Sequence, residues 1–203
     1  MKRFSILDLL VFCSLVALGV ASRWLLLDWP NFTATGAVAL FAGFYFRHIF
    51  AAVATAFSVL CISNLLLPSY AHTGDMIAVY AAFLVPAVLG ALLRRRVTFG
   101  RAAAGLLMPS LVFFVATNPV SWFYNCGPTA MYDATLGGLM TSYWYAVPFY
   151  RNMFCADVLF SGALFGAYAV AVNAYVFAAN YRWLPGAREP GVAKMPVELI
   201  TCN

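Results

Sequence analysis

The side chains best placed for chemistry are amides, hydroxyls and a carboxylate that stand where apolar stretches begin or end: Asn31 and Thr33, Asn64, Thr117 and Asn118, Asn152 and Asp157. These groups suit hydrogen bonding to a small polar molecule rather than bond making. Trp122, Tyr143 and Tyr145 lie nearby in sequence and offer flat apolar walls with a polar edge. Arg151 precedes Asp157 by six positions and admits two roles: an ion pair that orients the chain, or a counter-charge for an anionic ligand. The plainer account of the set is capping, since Asn is a good N-cap and a carboxylate complements a helix N-terminus.

Residue patterns for other chemistries do not occur. There is no GxxxxGK[ST], HExxH or GxSxG, so neither a nucleotide P-loop nor a zinc-peptidase or hydrolase site is expected. The cysteines Cys13, Cys61, Cys126, Cys155 and Cys202 show no CxxC spacing. No metal, no cofactor and no enzymatic activity is expected. Cys126 and Cys155 fall on one side of the layout below; they either pair in an oxidising compartment or stay free. His48 and His72 fall on opposite sides.

The elements that must hold these groups are helices in a bilayer. Of the 203 residues, 64% are hydrophobic and 9% charged, a composition that no soluble fold of this length requires. Six apolar stretches, 7–21, 33–46, 49–67, 76–93, 102–123 and 157–180, are each expected to cross a bilayer, since roughly 20 apolar residues match a hydrocarbon core about 30 Å thick. With the N-terminus in the cytoplasm, Lys2, Arg3, Arg47, Arg94, Arg95, Arg96, Arg101, Arg182, Arg188 and Lys194 fall inside, and only Arg23 and Arg151 outside. That is a strong positive-inside signal, with both termini in. It also explains the net charge of +5 without nucleic acid. The N-terminal stretch has a rival reading as a signal peptide; it is taken as the first helix. The expected fold is all-α: a six-helix polytopic membrane protein, N-in and C-in. A transmembrane domain covers 1–181, and a short cytoplasmic tail covers 182–203.

In that topology the helices alternate direction, and the polar groups of four segments collect at the outer end, where capping alone predicts an equal set at the inner end. A long outer loop, 124–152, is rich in Tyr, Trp and Phe. It reads either as an interfacial aromatic belt or as a lid over a pocket, with a short rim helix over 135–147. Small residues four apart, Ala17 with Ala21 and Gly162 with Gly166, permit close helix contact, within the chain or with a partner subunit.

Three stretches carry a family resemblance. WPNFTATGAVALFAGFYF at 29–46 resembles the PNF-[ST]-P-x-G-A-L-A-L-F-x-G signature of a family of small bacterial integral membrane proteins. FFVATNPVSWF at 113–123 is similar to its FF-x-x-[ST]-N-F-x-x-W element, and 136–166 to its GL-x-x-C-Y-x-x-A-[IL]-PFF-x-N-x-x-x-x-D element. The chain departs from the pattern at Ala34, Ser142 and Tyr150, and Asn64 stands where the family often has Asp. That family has no settled activity. It resembles the substrate-binding (S) subunits of energy-coupling-factor (ECF) vitamin transporters, which take a ligand from outside and meet a coupling subunit through an Ala-x-x-x-Ala motif; Ala17 and Ala21 match it. The resemblance implies a bacterial cytoplasmic (inner) membrane location and a ligand held near the outer face.

Two functions follow as expectations. In the first the chain is a solute-binding subunit for uptake, working with a separate coupling subunit and ATPases. Its ligand contacts would be Asn31, Thr33, Asn64, Asn118, Trp122, Tyr143, Tyr145, Arg151, Asn152 and Asp157, and its partner contacts Ala17, Ala21, Gly162 and Gly166. In the second it is a non-catalytic accessory subunit of a larger membrane complex, and the same small residues are its docking surface.

Overall fold

The structure, a computed structural model, describes residues 5–68 and 70–181. The expected tail at 182–203 lies outside the described residues, as do five of the basic residues used for the topology: Lys2, Arg3, Arg182, Arg188 and Lys194. Among the described residues the chain is helical, with a single isolated bridge between Cys126 and Tyr132. Five helical stretches are long and apolar enough to cross a membrane, the build of a multi-pass membrane protein. Their outward faces carry large apolar side chains such as Phe50, Leu65 and Val170, as a lipid-facing surface would.

Helix α1, Ile6–Leu25, opens on a capping box in which Ser5 and Asp8 satisfy each other's backbone N–H groups. Helix α2, Thr35–Tyr45, occupies the middle of the bundle and is buried from Thr35 to Gly43. It was expected to be a membrane span. Eleven residues rise only about 16 Å, so it is too short to cross. Helix α3, Ile49–Leu66, packs against both.

The expected span 76–93 is two helices, α4 (Thr73–Ala82) and α5 (Leu84–Arg95), which break at Phe83. Pro86 is the physical cause, since it has no N–H to give to the carbonyl one turn back. Helix α6, Phe99–Tyr124, carries Pro109 and Pro119, and α7, Leu136–Tyr181, carries Pro148. The expected long aromatic loop is corrected here. The connection between α6 and α7 is confined to 125–135; the rest of the expected loop, 136–152, with the residues assigned to the rim helix, belongs to α7. The Thr135 hydroxyl caps that helix by accepting from the Gly138 N–H at 3.1 Å. At 46 residues, α7 runs for roughly 69 Å, well over the hydrocarbon thickness.

The close helix contacts do not use the small-residue pairs singled out in the sequence. A Cβ on Gly43 would collide with the Ala87 carbonyl, and one on Gly90 with the Leu40 carbonyl, so α2 and α5 meet backbone to backbone. Gly162 and Gly166 face open space, and Ala17 is exposed. The other side of α2 is sealed by rings: Phe41 and Phe44 meet Phe165 and Tyr168 of α7 with centroids 5.1–5.9 Å apart.

The chain enters α2 through Ala34, whose buried backbone is stable only if its polar groups are met. Ser22 of α1 meets one of them. Its hydroxyl accepts from the Ala34 N–H at 2.9 Å and donates to the Gly19 carbonyl at 2.8 Å. Ser22→Ala should therefore destabilise the fold by about 1–3 kcal/mol by orphaning a buried N–H. Thermal unfolding in detergent measures this, and an unchanged midpoint would refute it.

Candidate functional site

The bundle brings the C-terminal ends of α1, α3 and α6 and the N-terminal ends of α2 and α4 to one end, where two cavities lie side by side. The first, about 310 Å³, lies between α4, α6 and the early turns of α7. The second, about 320 Å³, lies between α1, the segment before α2, and α3, α4 and α6. Asn31, Val79, Phe113 and Met153 line both and form the partition. Each cavity falls at the lower end of the size range of small-molecule sites.

Asn31 is the exceptional residue of that partition. It has φ 61°, in the left-handed region that asparagine tolerates better than most residues. Its carbonyl accepts from the Thr33 N–H at 3.1 Å, closing the turn that delivers the chain to α2. The Asn152 side chain donates to the Pro30 carbonyl at 3.1 Å, tying α7 to the same turn.

The first cavity joins aromatic walls to neutral hydrogen-bonding groups. Phe113, Phe114, Tyr132, Tyr145, Phe149 and Tyr150 supply the rings. Asn118, Thr117, Ser110, Ser121 and Ser142 supply amide and hydroxyl groups, and Asp75 supplies one carboxylate. Thr117 and Asn118 each donate to a carbonyl one turn back, Phe113 at 2.8 Å and Phe114 at 2.7 Å. One Asn118 N–H is thereby engaged, and its second N–H and its carbonyl oxygen are left for a ligand.

The second cavity holds the cation. Arg23 donates to Asn64 Oδ1 at 3.3 Å, and the Asn64 amide donates to the Tyr80 hydroxyl at 3.0 Å. Thr33 lines the same cavity, and its hydroxyl donates to that of Thr35 at 3.2 Å. Arg23 is thus held by an amide rather than by a carboxylate. Its charge faces a cavity that adds Asn31 and Thr33 to the rings of Trp29, Tyr70, Phe83 and Phe113 and to aliphatic groups.

Of the residues singled out in the sequence, Asn31, Thr33, Asn64, Thr117, Asn118 and Tyr145 line a cavity. The others are placed elsewhere. The Trp122 indole donates to the Asp133 carbonyl at 3.0 Å and the Tyr143 hydroxyl to the Val115 carbonyl at 2.9 Å, both of them braces between α6 and the chain that follows. Asn152 supports the Pro30 turn. Arg151 is exposed, while Asp157 is buried against Gly36 of α2. Six positions on a helix leave the two side chains about 120° apart, so of the two roles considered for Arg151 the ion pair does not form. Cys126 and Cys155 are free thiols. Among the described residues no group of three metal-ligating side chains occurs.

Sequence reasoning missed Asp75, Phe113, Tyr132 and Met153. Asp75 sits in the first turn of a helix, where a carboxylate has an ordinary dipole role. Phe113 and Met153 are indistinguishable in sequence from lipid-facing residues.

Neither the comparison with curated proteins nor the comparison with solved structures gives a match. The comparison with family models does, over residues 5–181, which span every helix described above. The chain belongs to that family, a family of unknown function designated DUF6580.

Proposed function

We propose that the protein is a membrane-embedded solute-binding subunit, similar in its working to the S subunits of ECF transporters, which captures a small molecule from the outer face for uptake. The observation that carries this reading is the pair of adjoining cavities at one end of the bundle, lined by amides, hydroxyls and rings, with Arg23 in one and Asp75 in the other. Such a lining suits a small, flat solute with several hydrogen-bonding groups. Arg23 favours a negative group at one end, and Asp75 a positive or donor group at the other. The charge asymmetry of the sequence supports placing this end outside, with both termini in the cytoplasm of a bacterial cell. The chain carries no nucleotide motif, so energy would come from partner ATPases through a coupling subunit.

A second reading, an accessory subunit of a larger membrane complex, draws on the outward-facing small residues. Gly162 and Gly166 point into open space and Ala17 is exposed, a surface that a partner helix could approach closely. Purification from native membranes in mild detergent, with mass spectrometry of proteins and metabolites, separates the two. A retained metabolite, or a co-purifying ATPase pair, supports solute capture. A stable assembly of unrelated subunits without a metabolite overturns it in favour of the accessory role.

With the metabolite in hand, Asn118→Ala should weaken its binding by about 1–3 kcal/mol, as expected when a buried hydrogen bond goes unmet. Unchanged affinity in a titration would remove Asn118 from the site.

A further inference from the structure

Asp157 is the one buried aspartate of the chain. It is 2% exposed, and neither carboxylate oxygen has a hydrogen-bond partner. Ser161, one turn on along the same face of α7, is also 2% exposed, and its hydroxyl oxygen is likewise unmet. The carboxylate lies against Gly36 in the first turn of α2, in the notch left by the missing side chain; a Cβ there would collide with Asp157 Oδ1.

Among the described residues no charge compensates it. The α2 sequence has a single titratable side chain, Tyr45, at its far end, where it packs on Tyr168. Between Arg101 and Tyr124, α6 has no titratable group, and the segment from Asn31 to Ala34 has none. On α7 itself, Arg151 and Cys155 are exposed on other faces. An ionised carboxylate in such surroundings is strongly disfavoured, and a neutral acid is the form that apolar packing tolerates.

We propose that Asp157 is a proton-binding site: it holds a proton while α2 and α7 are packed as in this structure, and releases it when they part. The site adjoins the cavities. Met153, one turn before Asp157, belongs to the partition between them, so the carboxyl lies one turn from a wall shared by both cavities. On the Gly36 side, the linked hydroxyls of Thr35 and Thr33 lead to the second cavity. The proton balance is simple: one proton leaves the carboxyl to water and one returns, with no bond to carbon made or broken. The existence of the site is independent of the solute reading; only its use in uptake rests on that reading.

The test is infrared spectroscopy of the full-length protein in lipid nanodiscs at neutral pH, without added solute. The expected result is a carbonyl band from a protonated carboxyl that Asp157→Asn abolishes while the thermal midpoint stays near that of wild type, since the amide imitates the neutral acid. Should that variant fail to fold, wild-type protein labelled with 13C at the aspartate carboxyl gives the same answer. The other aspartates, Asp8, Asp28, Asp75 and Asp133, are partly or fully exposed, and Asp157 is the buried one among the described residues. Absence of a protonated aspartate band overturns the proposal. So does a band that appears only when sodium is replaced by choline, because a metal cation then occupies the carboxylate.

Discussion

Gly90→Leu is expected to destabilise the protein by about 3 kcal/mol, the upper end of the usual penalty for overpacking. Even a Cβ at this position meets the Leu40 carbonyl and comes within 2.8 Å of the Phe44 nitrogen, and both are backbone atoms of a helix buried along most of its length. No rotamer of the new side chain relieves a clash that begins at Cβ. Relief requires α2 and α5 to separate, which would also pull α2 away from α1, α3 and α7. Gly162→Leu is the matched control. Nothing lies within 4 Å of a Cβ there, so its stability should change by no more than about 0.5 kcal/mol. Thermal unfolding of the two variants in detergent decides the matter, and equal midpoints would show that the α2–α5 contact is not a close one. Gly162→Leu carries a second result. If it folds normally but releases a protein that co-purifies with wild type, the outward glycine face is a partner contact.

The same pair of glycines shows where the sequence stops being informative. Small-xxx-small spacing is visible at Ala17 and Ala21 and at Gly162 and Gly166, yet the tight seam uses Gly43 with Ala87 and Gly90 with Leu40. A single apolar sequence does not say which face of a helix meets protein and which meets lipid, because both faces are apolar. The shortness of α2 was hidden for a related reason. Residues 33–46 are apolar throughout, and hydropathy does not separate a membrane span from a helix buried among other helices.

The polar end of the bundle was legible because polar groups are conspicuous against an apolar chain. Asn31, Thr33, Asn64 and Asn118 reach the two cavities from three separate segments. The misassigned lid has an equally physical origin. Pro148, Arg151 and Asn152 interrupt the hydropathy and suggest a loop. A helix packed along α6 keeps its backbone satisfied through such residues, with Tyr143 bonded to Val115 and Tyr143 and Tyr150 both packed on Phe114. Asp157 looked like a partner for Arg151 because both are charged and close in sequence. Helical geometry sends one outward and the other inward.

Asn31 should separate the backbone requirement of the site from its chemistry. Asn31→Val places a β-branched residue at φ 61°, where steric strain costs about 1–2 kcal/mol, or the turn rearranges to avoid it. Rearrangement would shift the wall common to both cavities and release the Asn152 bond to the Pro30 carbonyl, so the expected outcome is loss of metabolite binding together with a lowered thermal midpoint. Asn31→Gly accepts the same φ without strain. It should fold with a midpoint close to wild type and keep the Thr33 bond to the residue 31 carbonyl. Any binding it loses is then due to the amide side chain alone, about 1–3 kcal/mol if that amide meets the solute directly. The readout is the amount of metabolite retained per mole of purified protein, set beside the midpoint for each variant. Full retention by the valine variant would mean that the partition between the cavities is not part of the binding site. Full retention by the glycine variant, with loss in the valine variant, would assign Asn31 a purely conformational role and leave recognition to Arg23, Asn64, Asp75 and Asn118.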